Sequence, residues 1–283
     1  LNYLFFIKND CKKLEFCFRS FALAQKCRIQ LISASEEVLI DSISVEETSS
    51  REVNNWRRNI LSSLPPIPSQ PSASQNLLPK TRSKLRNGGK LRIVMLGDST
   101  INDTGNSLFE TSLQALSHNL NIEVVNSVRG GTGCMWYQEE NRVNNFVLQY
   151  NPDLLIIGGI SNGYEVEPIR NVIKKVRALQ NPEILVLSDS ITPTELIIKG
   201  IADKSAGCDK KKVEEMARIY SHQLKLMANE EKVDFMDIRS FWDNYVLTSP
   251  KPVSFFLRDP IHANLRGKQV VGELLLSYLN SSC

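Results

Sequence analysis

No apolar run in the chain is long enough to cross a bilayer. The opening stretch Leu4-Phe5-Phe6-Ile7 falls far short of the roughly 20 residues a spanning helix needs, and no small-residue cleavage site follows it. Charge of one sign is also missing: 34 Lys and Arg face 31 Asp and Glu over 283 residues. A net charge of +3 is too weak a field for a phosphate-backbone binder, so nucleic acid is not an expected partner. The six cysteines, at positions 11, 17, 27, 134, 208 and 283, contain no C-x-x-C pair and no regular framework. That excludes a zinc ribbon or a disulfide-built miniature fold and leaves buried or incidental thiols. No His/Cys/Asp cluster has metal-ligand spacing, and no cofactor is expected. Histidine is scarce, with three in the chain, so a search for a catalytic base is short.

What remains, 42% apolar and 23% charged residues, is globular, and the length suits one large domain or one with a small partner. The chain begins at Leu1 rather than Met, so it reads as a fragment whose true start, with any targeting segment, is missing. A soluble protein, secreted or periplasmic, is the expectation.

Residues 1–60 lean towards β-structure: the segments 14–18, 28–33 and 37–45 are short and partly alternating, which predicts a few strands, as in a truncated β-sandwich module. Residues 61–90 shift to Ser, Pro and Gln and then to five positive charges with a Gly-Gly pair between 80 and 90, the composition of an extended linker. From 91 to 283 apolar runs recur at the spacing of βα units: 91–96, 122–125, 154–157, 184–187 and the weaker 233–238. Between them the sets Phe109/Leu113/Leu116/Leu120, Val166/Ile169/Ile173/Val176, Val213/Met216/Tyr220/Leu224/Met227 and Val270/Leu274/Tyr278 keep helical period. Five strand-like runs, too apolar for a half-wet sheet and alternating with amphipathic helices, predict an α/β domain, a parallel sheet covered on both faces.

In such a sheet ligands bind outside the carboxyl ends of the strands. The residues there are small and hydroxylic: Gly97-Asp98-Ser99-Thr100, then 126–134, 158–163, and Ser188-Asp189-Ser190. His118 and His222 fall inside helical patterns. His262 follows Arg258-Asp259-Pro260-Ile261, where Pro260 disfavours helix, and Asp259 is close enough to orient the imidazole. Ser99, at the exit of the first strand, projects its hydroxyl into the crevice and has its amide near the start of a helix.

Gly97-Asp98-Ser99 near the start of the domain, joined to Asp259-x-x-His262 near its end, resembles the SGNH, or GDSL-type, hydrolases. The resemblance covers about two-thirds of the chain, from Leu91 to Cys283. It implies a five-stranded, flavodoxin-like three-layer α/β/α sandwich and hydrolysis of esters, often O-acetyl groups on carbohydrates, with no cofactor and a small-molecule or glycan ester as substrate. Ser99 matches the family's nucleophile, Asp259 its acid and His262 its base. The second block corresponds to residues 126–133, where Gly130 and Gly131 are both candidates for the oxyanion-hole amide beside that of Ser99. The third block departs from the family's Gly-x-Asn-Asp: it reads Gly158-Gly159-Ile160-Ser161-Asn162-Gly163, with the Asn displaced by one residue and no Asp after it. Asn162 is the one side-chain amide there and is assigned as an oxyanion donor.

Gly159-Ile160-Ser161-Asn162-Gly163 also spells G-x-S-x-G after a strand, the setting of a nucleophile elbow. It follows only the third strand of a domain short for an α/β-hydrolase, which favours Ser99. Trp136, Tyr137, Trp242, Tyr245, Phe255 and Phe256 lie next to the motifs, where they serve as core packing or as sugar platforms. The Lys210-Lys211-Lys212 run reads as the solvated start of a helix. An alternative of another class is a non-catalytic protein of the same fold that holds an acylated glycan; within the enzyme class, a lipid ester or thioester is the other substrate.

Overall fold

A computed structural model describes residues 46–68, 77–115, 119–188 and 210–280. Five strands, β1 (Gly89–Gly97), β2 (Leu120–Val128), β3 (Leu154–Ile157), β4 (Glu183–Leu187) and β5 (Asp234–Met236), form one sheet in the order β2-β1-β3-β4-β5, every pair parallel. This is the doubly wound order of flavodoxin-like folds, with the reversal of direction beside β1.

The strand residues explain the layers. Side chains alternate across a strand, and in a sheet covered on both faces both sets must be apolar. Ile93 and Met95 of β1, with Leu154, Ile156, Leu185 and Leu187, join one core; Val94 and Leu96, with Leu155, Ile157, Ile184 and Val186, join the other. The first core is closed by α2 (Pro79–Asn87), α3 (Ser99–Gly105), α4 (Glu110–Gln114), α9 (Ile238–Thr248) and α10 (Leu265–Asn280). The second is closed by α5 (Cys134–Tyr137), α6 (Arg142–Phe146), α7 (Glu167–Leu179) and α8 (Lys210–Glu231). In α7 the buried Ile169, Val172, Ile173 and Val176 recur at three and four residues, one face of a helix started by Pro168. The result is a three-layer α/β/α sandwich. None of the described helices is long and apolar enough to span a membrane.

The linker expectation is corrected. Pro79–Asn87 is helical, because Pro79 begins the turn and the helix seats Leu85 and the preceding Leu78, both buried, in the first core. Five positive charges on an otherwise polar segment masked that one apolar side. Likewise the end of the range read as β-rich is a helix, α1 (Ser50–Leu61), started by a reciprocal cap in which Glu52 N donates to Ser49 Oγ and Ser49 N to Glu52 Oε2. Its buried Arg57 donates to Gln269 Oε1 at 2.7 Å, to Glu273 Oε1 at 2.8 Å and to Ser112, so α1 belongs to the sandwich rather than to a separate module. The strands expected at 14–45 lie outside the described residues, as do Leu116 and His118. Leu120, read with the preceding helix, instead opens β2, and α4 stops at Gln114.

Candidate active site

Ser99 is the first residue of α3, directly after β1, so its hydroxyl stands at the carboxyl edge of the sheet beside the topological switch point. Asp98 caps the helix: its Oδ1 accepts from Thr100 N at 2.9 Å and Thr100 Oγ1 at 2.8 Å, and its side chain is almost wholly buried. Its other oxygen accepts the backbone amide of Ser161 at 2.7 Å.

The other end of the domain supplies the partner. Leu257 and Ala263 form an isolated antiparallel bridge, and Arg258 N donates to His262 O at 3.0 Å, so residues 258–262 are a closed loop with Pro260 in its turn. Asn264 ties this loop to α10. Its Oδ1 accepts from Arg266 N at 2.9 Å and Gly267 N at 3.2 Å, while its Nδ2 donates to Phe255 O at 2.9 Å and Leu257 O at 3.2 Å.

The loop presents His262 to Ser99, with Nε2 2.8 Å from Oγ across 163 residues of sequence. On its other side Nδ1 lies 2.9 Å from each oxygen of Asp259, whose Oδ1 also accepts the amides of Ile261 and His262 at 2.8 Å. Partial burial works to raise the Asp259 carboxyl, but the two backbone amides and the imidazole outweigh it and hold it below the usual carboxylate range. Asp259 is therefore an anion at neutral pH. A carboxylate at Nδ1 makes that nitrogen the N–H donor, which leaves the Nε2 lone pair facing the hydroxyl.

The two loops beside Ser99 interlock. Asn162 is buried; its Oδ1 accepts Cys134 N at 2.7 Å and its Nδ2 donates to Gly159 O at 3.1 Å. Gly133 permits this approach, since a Cβ there would lie 2.1 Å from Ser161 O. Gly130 and Gly131 are exposed on the same loop with open space around them, and Gly131 has a φ of +65°. The loop starts against the strand end, where Arg129 N donates to Gly97 O at 3.1 Å and Tyr137 Oη to the same carbonyl at 2.8 Å.

Among the remaining candidates, His222 is exposed on α8, and Asp189 and Ser190 lie outside the described residues. Ser161 sits in a short turn with its amide on Asp98, and the histidine faces Ser99 instead. Cys134 is no thiolate: burial, followed by the Asp98 charge, pushes it up to about 12. Tyr137, Trp242, Tyr245 and Phe256 are core residues. Trp136 carries the guanidinium groups of Arg129 and Arg142 over its ring, at 4.8 and 3.9 Å from the centroid, and Phe255 carries Lys251 and Arg266. Both rings thus make cation–π contacts. Among the described residues no group of His, Cys, Asp and Glu has the arrangement of a metal site.

Sequence reasoning missed an ionic cluster behind the Ser99–His262–Asp259 contacts. Asp103, wholly buried one turn beyond Ser99, lies with its Oδ1 3.2 Å from Arg258 Nη1 and 3.1 Å from Lys268 Nζ. Lys268 is lowered by burial, against which the Asp103 charge acts. Single charges scattered along three elements carry no local pattern that could have disclosed it.

No family model and no curated protein matches the chain. Solved structures do. A two-domain esterase active on acetylated mannans aligns at a TM-score of 0.51 and 15% identity over 70% of this chain and 52% of its own, so the chain spans about half of that protein. LAE5, an α/β hydrolase from the metagenome of Lake Arreo, aligns at 0.52 and 16% identity over 68% of this chain and 95% of its own. A catalytic mutant of Axe2, an acetylxylan esterase from Geobacillus stearothermophilus, aligns at 0.52 and 17% identity over 67% and 94%. At such identities the likeness is one of fold, and the three-layer α/β/α sandwich of this chain is the architecture of those three enzymes.

Proposed function

We propose that the chain is a serine esterase of the SGNH type that removes acyl groups, most of all O-acetyl groups on carbohydrates, through an acyl-enzyme. The observation that carries this reading is the continuous hydrogen-bonded chain from Ser99 Oγ through His262 to Asp259. The carbohydrate part rests on the fold shared with enzymes active on acetylated mannan and acetylxylan.

His262 Nε2 takes the Ser99 proton as Oγ attacks the ester carbonyl, and Asp259 stabilises the imidazolium that forms. The tetrahedral oxyanion is met by the Ser99 amide at the start of α3, the amide of Gly130 or Gly131, and the Asn162 side chain. An amide NH2 carries two hydrogens, and that of Asn162 gives one to Gly159 O, which leaves one for the oxyanion. Collapse releases the alcohol, which leaves with the proton from Nε2. Water then attacks the acyl-Ser99, giving its proton to the same nitrogen, and the second tetrahedral species releases the free acid and restores Ser99.

Acetate release from acetylated xylan and acetylated mannan, together with hydrolysis of p-nitrophenyl acetate, tests the reading against a Ser99→Ala control. A folded wild-type protein that turns over none of the three, or a Ser99→Ala protein as active as wild type, overturns it.

A further inference from the structure

We propose that Arg258 is a positioning residue for the Asp259–His262 pair, holding it in register with the helix that carries Ser99. This rests on the esterase reading and extends it to a side chain outside the motif. The Arg258 guanidinium reaches two carboxylates of different elements: Nη1 is 3.2 Å from Asp103 Oδ1 on α3, and Nε is 3.5 Å from Asp259 Oδ2 in the loop. A planar fork of donors spans two such acceptors, where a lysine ammonium acts as a single point charge.

Asp259 needs such a tether. Its side chain is 41% exposed; Oδ1 is fixed by two backbone amides, whereas Oδ2 shares the imidazole and meets the guanidinium. Asp103, by contrast, is wholly buried in α3 and also paired with Lys268 of α10. A shift of the loop relative to α3 alters the distance between Nε2 and Oγ, and Arg258 opposes that shift from a point one turn from the nucleophile.

The charges set a second consequence. The ion-pair chain that begins at His262 runs through Asp259 and Arg258 of its own loop to Asp103 on α3 and Lys268 on α10, two negative and two positive. Removing Arg258 alone leaves the cluster one negative charge in excess, which favours the imidazolium. The neutral base then persists only at higher pH.

The test is kcat and KM across pH, on p-nitrophenyl acetate, for wild type, Arg258→Met and Arg258→Lys. Arg258→Met is expected to lower kcat roughly 10- to 100-fold with little change in KM, and to move the acid limb of the profile up by about half a pH unit or more. Arg258→Lys, which keeps the charge, returns the limb to its wild-type position. If Arg258→Met does not fold, Arg258→Gln replaces it, uncharged but able to donate to Asp103. An acid limb unmoved in the neutral variant, or displaced as far in Arg258→Lys, overturns the proposal while the esterase reading stands. A wild type with no turnover and no fluorophosphonate label on Ser99 overturns both.

Discussion

Asp98 reaches across the carboxyl edge of the sheet to Ser161, its Oδ2 accepting the Ser161 amide at 2.7 Å while Oδ1 caps α3 through Thr100. The residue before the proposed nucleophile thus fastens the loop after β3 to the helix after β1. Gly159 lies in the gap: with φ at +107°, a Cβ there would sit 2.6 Å from Asp98 Oδ1. The Asp of Gly-Asp-Ser is accounted for by this bracing role, separate from the chemistry proposed for Ser99.

Asp98→Ala therefore removes a helix cap and strands an amide. The expected loss is about 2–4 kcal/mol, from one cap and one unsatisfied donor. Asp98→Asn keeps an oxygen for only one of the two sites, so a smaller loss is expected. Urea unfolding measures both, and values indistinguishable from wild type sink the bracing argument.

Ser99→Ala and His262→Ala are each expected to lower ester turnover by about 10⁴-fold or more, while Ser161→Ala leaves most of it. Peptide mapping after fluorophosphonate treatment should find the label on Ser99. A label on Ser161, with Ser161→Ala inactive, reverses the assignment of nucleophile.

Activity should rise with pH on a single acid limb between about pH 5 and 8, where histidine ordinarily titrates, because only the neutral imidazole accepts the Ser99 proton. Asp259 adds no second limb in that window, since its carboxyl is held below the usual carboxylate range. The sign for stability is the same: a depressed carboxyl stabilises the fold at neutral pH, and that contribution fades only as pH falls through its folded-state value. A rate profile flat from 5 to 8 contradicts a histidine base.

The central strands were readable because a sheet covered on both faces writes them as apolar runs, and residues 154–157 are β3 from end to end; the edge strands β2 and β5 are broken by Glu123 and Asp234 and gave a weaker signal. Ser99, Asp259 and His262 were legible as candidates because each sits in a short local motif, although only folding brings Nε2 to Oγ. The helix Pro79–Asn87 was not, since one buried Leu among charges looks like linker. Nor were the Asp103–Arg258–Lys268 cluster and the Asn162–Cys134 clasp, which join residues far apart in sequence with no local pattern to link them.

Gly133→Ala should harm activity more than Gly130→Ala. A Cβ at 133 falls 2.1 Å from the Ser161 carbonyl oxygen and forces apart the two loops that Asn162 joins, whereas a Cβ at 130 meets open space. Thermal unfolding and kcat/KM measured on both variants check the order, and a fully active Gly133→Ala shows that the loops separate without consequence.

Asn162 has an observed task and a proposed one, which a single substitution confounds. Its Oδ1 holds the Cys134 amide at 2.7 Å, and its Nδ2, bonded to Gly159 O at 3.1 Å, has a second hydrogen that is proposed to meet the oxyanion. Asn162→Ala is expected to lower kcat by roughly 10²–10³-fold with KM little changed, the pattern of a donor lost from the transition state. Asn162→Asp separates the tasks, since a carboxylate still accepts from Cys134 but cannot donate and adds a negative charge. Its kcat should fall at least as far while its unfolding midpoint stays closer to wild type than that of Asn162→Ala. If Asn162→Asp instead retains most of the rate, Asn162 serves only to clasp the glycine loop, and the oxyanion is held by backbone amides alone. If the loss appears in KM, the side chain contacts the ground state, and its displacement by one residue from the family's position has changed its role.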